Sequence, residues 1–278
     1  MNLLGVLSLL IKFSEKDNIL DSKPFIDDEV QFNVLHIIME SKLPYLFTNK
    51  NKSIIIGQST PKLPAWIWTS RQITNKDIEE LKNDFIELYK DMEKLVFVAK
   101  PDIAIALAEH YATMRQLKYC VDLQMESFQC PSIIEPRPVQ GLLRKATIND
   151  INVISEFLSG FIYDCFRQMT TPEQQLQTAK MYIESENLYI WCTGNKIISM
   201  AHIAHRSKRN VRINEVYTRP DMRGEGFGAM IVSKLCRIIL SEHRVPVLYT
   251  DLSNPASNKA YKNVGFIECG KVSKVSIF

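Results

Sequence analysis

Residues 211–228, VRINEVYTRPDMRGEGFG, constrain the fold more than any other part of the chain. A run suited to a strand enters a loop carrying glycines 224, 226 and 228. An amphipathic stretch follows, with Met230, Ile231, Leu235, Ile238 and Ile239 at helical spacing. Glycines let a backbone turn sharply and approach a ligand with no Cβ in the way. The helix that opens after them presents unpaired N–H groups and the positive end of its dipole. Together these features form a cradle for a pyrophosphate, with Arg223 adding a charge at its entrance.

The rest of the 278 residues fit a globular chain, with 46% apolar and 23% charged residues. A formal net charge of +3 is too small to argue for nucleic acid. The six cysteines lie at 120, 130, 165, 192, 236 and 269, with no C-x-x-C pair and no histidine at a structural zinc spacing. They read as reduced thiols of a cytoplasmic protein, without a metal. Residues 1–13, MNLLGVLSLLIKF, lack a basic start and a small-residue cleavage site and are too short to span a bilayer, so they read as a first buried helix. Pro131, Pro136 and Pro138 exclude a helix interior and mark an extended linker near 131–139. That divides the chain into domains at 1–135 and 140–278.

Before the linker, residues 53–57, 65–68 and 95–99 read as strands. Residues 77–95 and 102–114 read as helices, the first capped by Thr74 and Asp77. This smaller α/β domain shows no chemical motif. After the linker the order is β-α-α-β-β-β-α-β-α-β-β. It begins with a strand at 142–146, a helix ending near Gly160 and a helix started by Thr171 and Pro172. A hairpin turn at 193–196 joins the second and third strands, and two strand-like segments close the chain.

Two phosphate-binding families compete for the glycine loop. Gly224-x-Gly226-x-x-Ala229, with Asp251 about 20 residues on, satisfies the dinucleotide fingerprint. Five residues, 219–223, nevertheless separate the strand from the first glycine, and 27 residues after Asp251 are too few for the second half of such a sheet. The loop instead resembles motif A of the GNAT N-acetyltransferases, V-x-x-x-P-x-x-R-G-x-G-x-G, through Val216, Pro220, Arg223, Gly224, Gly226 and Gly228. Asn254, Ser257, Tyr261, Gly265 and Phe266 resemble that family's motif B, N-x-x-[AS]-x-x-x-Y-x-x-x-G-F, in the right order and spacing. The resemblance spans roughly 140–278. It implies a mixed sheet flanked by helices, with a degenerate copy of the same fold as one reading of the N-terminal domain.

The resemblance also implies roles. Coenzyme A would lay its pyrophosphate on the amides of Arg223, Gly224, Glu225, Gly226, Phe227, Gly228 and Ala229. Its pantetheine would run along Val216, Tyr217 and Thr218, where the fourth and fifth strands splay. Asn254 would bond the pantetheine, with Asn258 a secondary contact, and Tyr261 would protonate the departing sulfur. The Val216 N–H would hold the thioester oxygen. The reaction implied is acetyl transfer from acetyl-CoA to a primary amine, on a small molecule or peptide, with no nucleic acid or membrane partner. A non-catalytic acyl-CoA-binding module and transfer of a longer acyl chain are the alternatives.

Glu215 is the carboxylate best placed to serve as base, although similar segments in the family often carry Gly-Pro where this chain has Asn214 and Glu215. A solvated strand charge is its plainer reading. His202-x-x-His205 resembles a metal pair, but residues three apart on a strand face opposite sides. His202 is left on the substrate side. The acceptor would meet residues 155–185 and 197–210, with 160–167 as lining, and no charge cluster there identifies it. The sequence is silent on oligomeric state.

Overall fold

The computed structural model describes residues 9–42 and 44–278. The chain forms two units, one running through Ser127 and taking back Cys269–Phe278, the other spanning Phe128–Glu268. Their borders are thus Ser127/Phe128 and Glu268/Cys269. The proline-rich linker lies just inside the second unit, and the last ten residues belong to the first.

The first unit begins with β1 (Leu10–Lys12), followed by the short helices α1 (Lys23–Ile26) and α2 (Val34–Met39). Next come β2 (Tyr45–Asn49), β3 (Ile54–Gln58), β4 (Ala65–Thr69), α3 (Asn75–Tyr89), β5 (Leu95–Ala99), α4 (Pro101–Arg115) and β6 (Tyr119–Gln129). β1 to β4 pair antiparallel in sequence order, and β5 returns parallel to β4. Every residue of β3 and β4 is buried, as expected of strands covered on both faces. Phe85, Tyr89, Phe97 and Tyr111 stack edge to face at their core. The expected N-terminal helix is replaced, at residues 10–12, by strand β1. Leu10 turns inward while Ile11 and Lys12 are exposed, and the Asp84 carboxylate accepts from the Leu10 amide. Residues 1–8 lie outside the described part. The expected helix at 77–95 ends at Tyr89, because Leu95 is already the buried first residue of β5.

The second unit runs β7 (Leu142–Lys145), α5 (Ile151–Phe166), α6 (Pro172–Glu184), β8 (Leu188–Thr193), β9 (Lys196–Arg206), β10 (Asn210–Thr218), α7 (Phe227–Ser241), β11 (Val245–Asp251) and α8 (Pro255–Val264). β12 (Ile267–Ile277) follows as one strand where two were expected, with Gly270 at φ 137° inside it. Most of β12 lies in the first unit, antiparallel to β5. β7 to β10 pair antiparallel in sequence order, and β11 is parallel to β10. The chain therefore runs twice through one order: strand, two helices, three strands, helix, strand, helix, strand.

Helix α5 continues through Gly160 to Phe166, past its expected end. Gly160 is there for space, since a Cβ at that position would run into the ring and hydroxyl of Tyr217. Just before α5, Asp150 accepts two bonds from the Arg144 guanidinium (2.7 and 2.8 Å) and one from the Thr147 amide (2.7 Å). The Arg144 bonds foremost, then those of Thr147, hold the Asp150 carboxyl down at about 2.

Two outcomes follow. Gly160→Ala destabilises the second unit by about 1–3 kcal/mol through overpacking, readable as a lower denaturation midpoint. Because the folded state depresses the Asp150 pKa, the roughly 2 kcal/mol it contributes is present above pH 4. That contribution fades as pH falls toward about 2, and Asp150→Asn removes this part of the acid limb in a pH series of melts.

Candidate active site

The site follows from a break in one ladder. β10 and β11 pair only at Asn210–Val245, Val211–Pro246 and Arg212–Val247, and beyond that they part. On the other side of β10 the ladder with β9 jumps between Asn214 and Tyr217, a β-bulge. Glu215 sits in it at φ 46°, a left-handed conformation that costs a non-glycine residue free energy. Asn214, Glu215 and Val216 from β10, and Leu248 to Asp251 from β11, line a cavity of about 480 Å³. Phe161, Asp164, Cys165 and Arg167 close it from α5, and Asn254, Ser257 and Tyr261 from the start of α8.

The glycine loop lies beyond the end of β10. Gly224 and Gly226 have φ of 82° and 92°, which only glycine adopts without strain. Nothing stands within 4 Å of a Cβ placed on Gly224, so the space outside the loop is open. The first α7 amide bonded back to the loop is that of Met230, which donates to the Gly226 carbonyl (3.0 Å). The amides of residues 227–229 therefore have no carbonyl within the helix and point out at its positive end. Gly228 is small for a packing reason, because a Cβ there would meet the Thr218 Oγ1 at 3.3 Å.

The side chains around the loop take separate places. Arg223 donates to the Thr218 carbonyl (3.0 Å) and to Asp164 (2.6 Å) and lies over the Tyr217 ring (5.2 Å), so it braces the loop. Tyr217 is buried against Phe157 and α5. Phe227 is buried in the core, and Glu225 is exposed. Asn254 caps α8, its Oδ1 accepting from the Ser257 amide (3.1 Å), and it still lines the cavity. Asn258 is not brought there. Its side chain bonds the Thr250 hydroxyl and donates to the Asp251 carbonyl (3.2 Å), holding the end of β11.

Tyr261 lines the cavity with its ring edge-on to Phe266. Burial, and then the neighbouring Cys165, push its hydroxyl pKa well above the usual tyrosine range, so it stays protonated at neutral pH. Cys165 is itself raised to about 11 by burial and by the carboxylates of Asp164, Asp251 and Glu215. Two groups hydrogen-bond Glu215: His202 Nδ1 lies 3.0 Å from its Oε2, and Asn214 donates to Oε1 (3.2 Å). Tyr182 stacks on the His202 ring, and burial followed by the Glu215 charge pushes its hydroxyl pKa well above the usual range. Tyr182 was not foreseen, because no local spacing shows that α6 delivers it to β10. Among the described residues no group of three or more His, Cys, Asp or Glu side chains could hold a metal ion. No described helix is long and apolar enough to cross a membrane.

Residues 156–266 match the model of the acetyltransferase (GNAT) family. Among curated proteins, none matches this chain. Solved structures share the fold over nearly its whole length. A GCN5-related N-acetyltransferase from Sphaerobacter thermophilus is 10% identical, with a TM-score of 0.65 over 96% of this chain and 94% of its own. A GNAT-family acetyltransferase from Colwellia psychrerythraea is also 10% identical, with a TM-score of 0.54 over 96% and 98%. A Drosophila protein is 11% identical, with a TM-score of 0.67 over 97% and 98%. The parted strands, the left-handed glycine loop and the matched family model agree, and residues 156–266 are a GNAT acetyltransferase-family domain.

Proposed function

We propose that this chain transfers the acetyl group of acetyl-CoA to a primary amine by direct attack of the amine on the thioester. The observation that carries the reading is the cavity between β10 and β11, which has a protonated Tyr261 in its wall and Glu215 at the bulge. Acetyl-CoA is the usual donor in the matched family, and the residues present suit it. The open left-handed loop and the first amides of α7 would hold its diphosphate, as helix N-termini hold anions. The free edge of β10 at Val216 would pair with the pantetheine, and the amide group of Asn254 is placed to bond it.

The chemistry assigns the remaining work. An amine of ordinary pKa near 10.4 costs roughly 4.6 kcal/mol to neutralise at pH 7, so a group must take its proton. Glu215, fixed in the cavity wall, is that group in this reading. The Val216 N–H would donate to the thioester oxygen as charge develops there. Tyr261 would give its proton to the departing sulfur. An acceptor would enter past Phe161 and Arg167, on the α5 side of the cavity.

The described residues of the first unit do not repeat this arrangement. At the start of α3 the Asp77 amide donates to the Thr74 hydroxyl (3.1 Å) and the Thr74 amide to the Asp77 carboxylate (3.2 Å), a reciprocal cap. Lys100, just after β5, donates to the Thr69 carbonyl at the end of β4 and to buried Asp28, both at 2.7 Å. One coenzyme site per chain is the consequence.

Free-thiol release from acetyl-CoA in the presence of primary amines tests the reaction. Tyr261→Phe is expected to lower kcat tenfold or more with the KM for acetyl-CoA near normal, and full activity in that variant would remove the acid role. Calorimetric titration of the intact chain is expected to give one equivalent of acetyl-CoA. Two equivalents would contradict the closed first unit, and none would contradict the transfer reading.

A further inference from the structure

The Glu215 carboxylate is clasped by His202 and Asn214, with Tyr182 stacked behind the imidazole. His202, on β9, is 6% exposed and places Nδ1 3.0 Å from Oε2. Tyr182, on α6, stacks on the imidazole with centroids 4.0 Å apart and planes 22° apart. Its hydroxyl pKa is raised far above the usual range by burial and then by the nearby Glu215 charge. Asn214 Nδ2 takes the other oxygen at 3.2 Å. A residue at φ 46° in a bulge has a backbone that does not by itself fix where its side chain goes. The clasp supplies that direction. A merely exposed strand charge would not be held by a buried His202 and a half-buried Asn214.

The geometry points to His202 and Tyr182 as positioning residues for acyl transfer: they hold Glu215 in the one orientation from which it takes the proton of the incoming ammonium. The step is R–NH3+ plus the Glu215 carboxylate giving R–NH2 plus the carboxylic acid, with no change at His202. The imidazole serves as an Nδ1–H donor to the carboxylate, with Tyr182 keeping its ring in plane. This rests on the acetyl-transfer reading above and adds residues that no motif of the chain marks. The charged and titratable groups around the clasp are Asp164, Cys165 and Arg167 on or at the end of α5, Arg212 on β10 and Asp251 on β11. Their charges are the same in every variant named below.

The test uses the full chain, acetyl-CoA, and glycine, spermidine and a lysine-containing peptide as probe amines, with rates followed from pH 6 to pH 10 on whichever is acetylated. His202→Leu is expected to lose tenfold or more in kcat at pH 7 with the KM for acetyl-CoA unchanged. The gap should narrow to about threefold or less by pH 10, where an amine of ordinary pKa near 10.4 supplies its own free base. His202→Asn, whose side-chain amide can donate in place of Nδ1–H, should recover most of the loss, and Tyr182→Leu, which removes the stacked ring, should behave as a milder His202→Leu. A loss that is equal at every pH, an Asn variant no better than Leu, or no loss at all overturns the proposal. Imidazole 15N signals of the wild type and Glu215→Gln are recorded alongside, and a shifted His202 resonance is expected. If no probe is acetylated while that shift is seen, the transfer reading has failed and takes the positioning role with it. If acetylation proceeds and the His202 signal ignores Glu215→Gln, the clasp alone has failed.

Discussion

The pairing of β10 with β11 stops after three residue pairs, and the site depends on that stop. A parallel ladder continued to the ends of both strands would leave no cavity and no free strand edge. The bulge at Glu215 supplies the parting on one side, and the Asn258 clamp on Thr250 and Asp251 holds the other strand end in place. Strain at a left-handed glutamate is tolerated because the β9 ladder resumes beyond it and its side chain is fastened. Tyr261, its ring edge-on to buried Phe266, lines the cavity opposite that break.

The two units show what the same order of elements does with and without that break. In the first, β4 and β5 pair parallel from Ala65–Phe97 to Ile67–Ala99, and Lys100 bonds the end of β4 directly. Its charge and that of Arg71 are spent on Asp28, a buried carboxylate that also accepts from Trp68. These bonds draw the Asp28 carboxyl below its usual range although burial alone would raise it. A closed, internally satisfied end of this kind stabilises a fold and leaves little to bind with. In the second unit the corresponding helix starts with glycines instead of a capping box, and its amides stay open.

Much of this was legible in the residues. The glycine loop, the helix after it and the motif around Tyr261 follow from local spacing, and each lies where the sequence placed it. Three things were not legible. Gly160 reads as a helix end because glycine is a poor helix former, whereas its reason is Tyr217, 57 positions away in sequence. Asn258 sits one helical turn beyond Asn254 and so reads as a ligand contact, but hydrogen bonds to β11 turn it aside. Tyr182 and His202 meet Glu215 only through pairing between strands and the packing of α6, for which no periodicity gives a signal. Local chemistry is written in spacing, and tertiary contacts are not.

The most direct measurement of the account is a crystal structure of the full chain with coenzyme A. The account predicts the diphosphate on the amides of residues 224–229, the pantetheine along β10 at Val216, and the sulfur beside the Tyr261 hydroxyl. Coenzyme bound in the first unit, or across the second with its sulfur away from Tyr261 and Glu215, would contradict it.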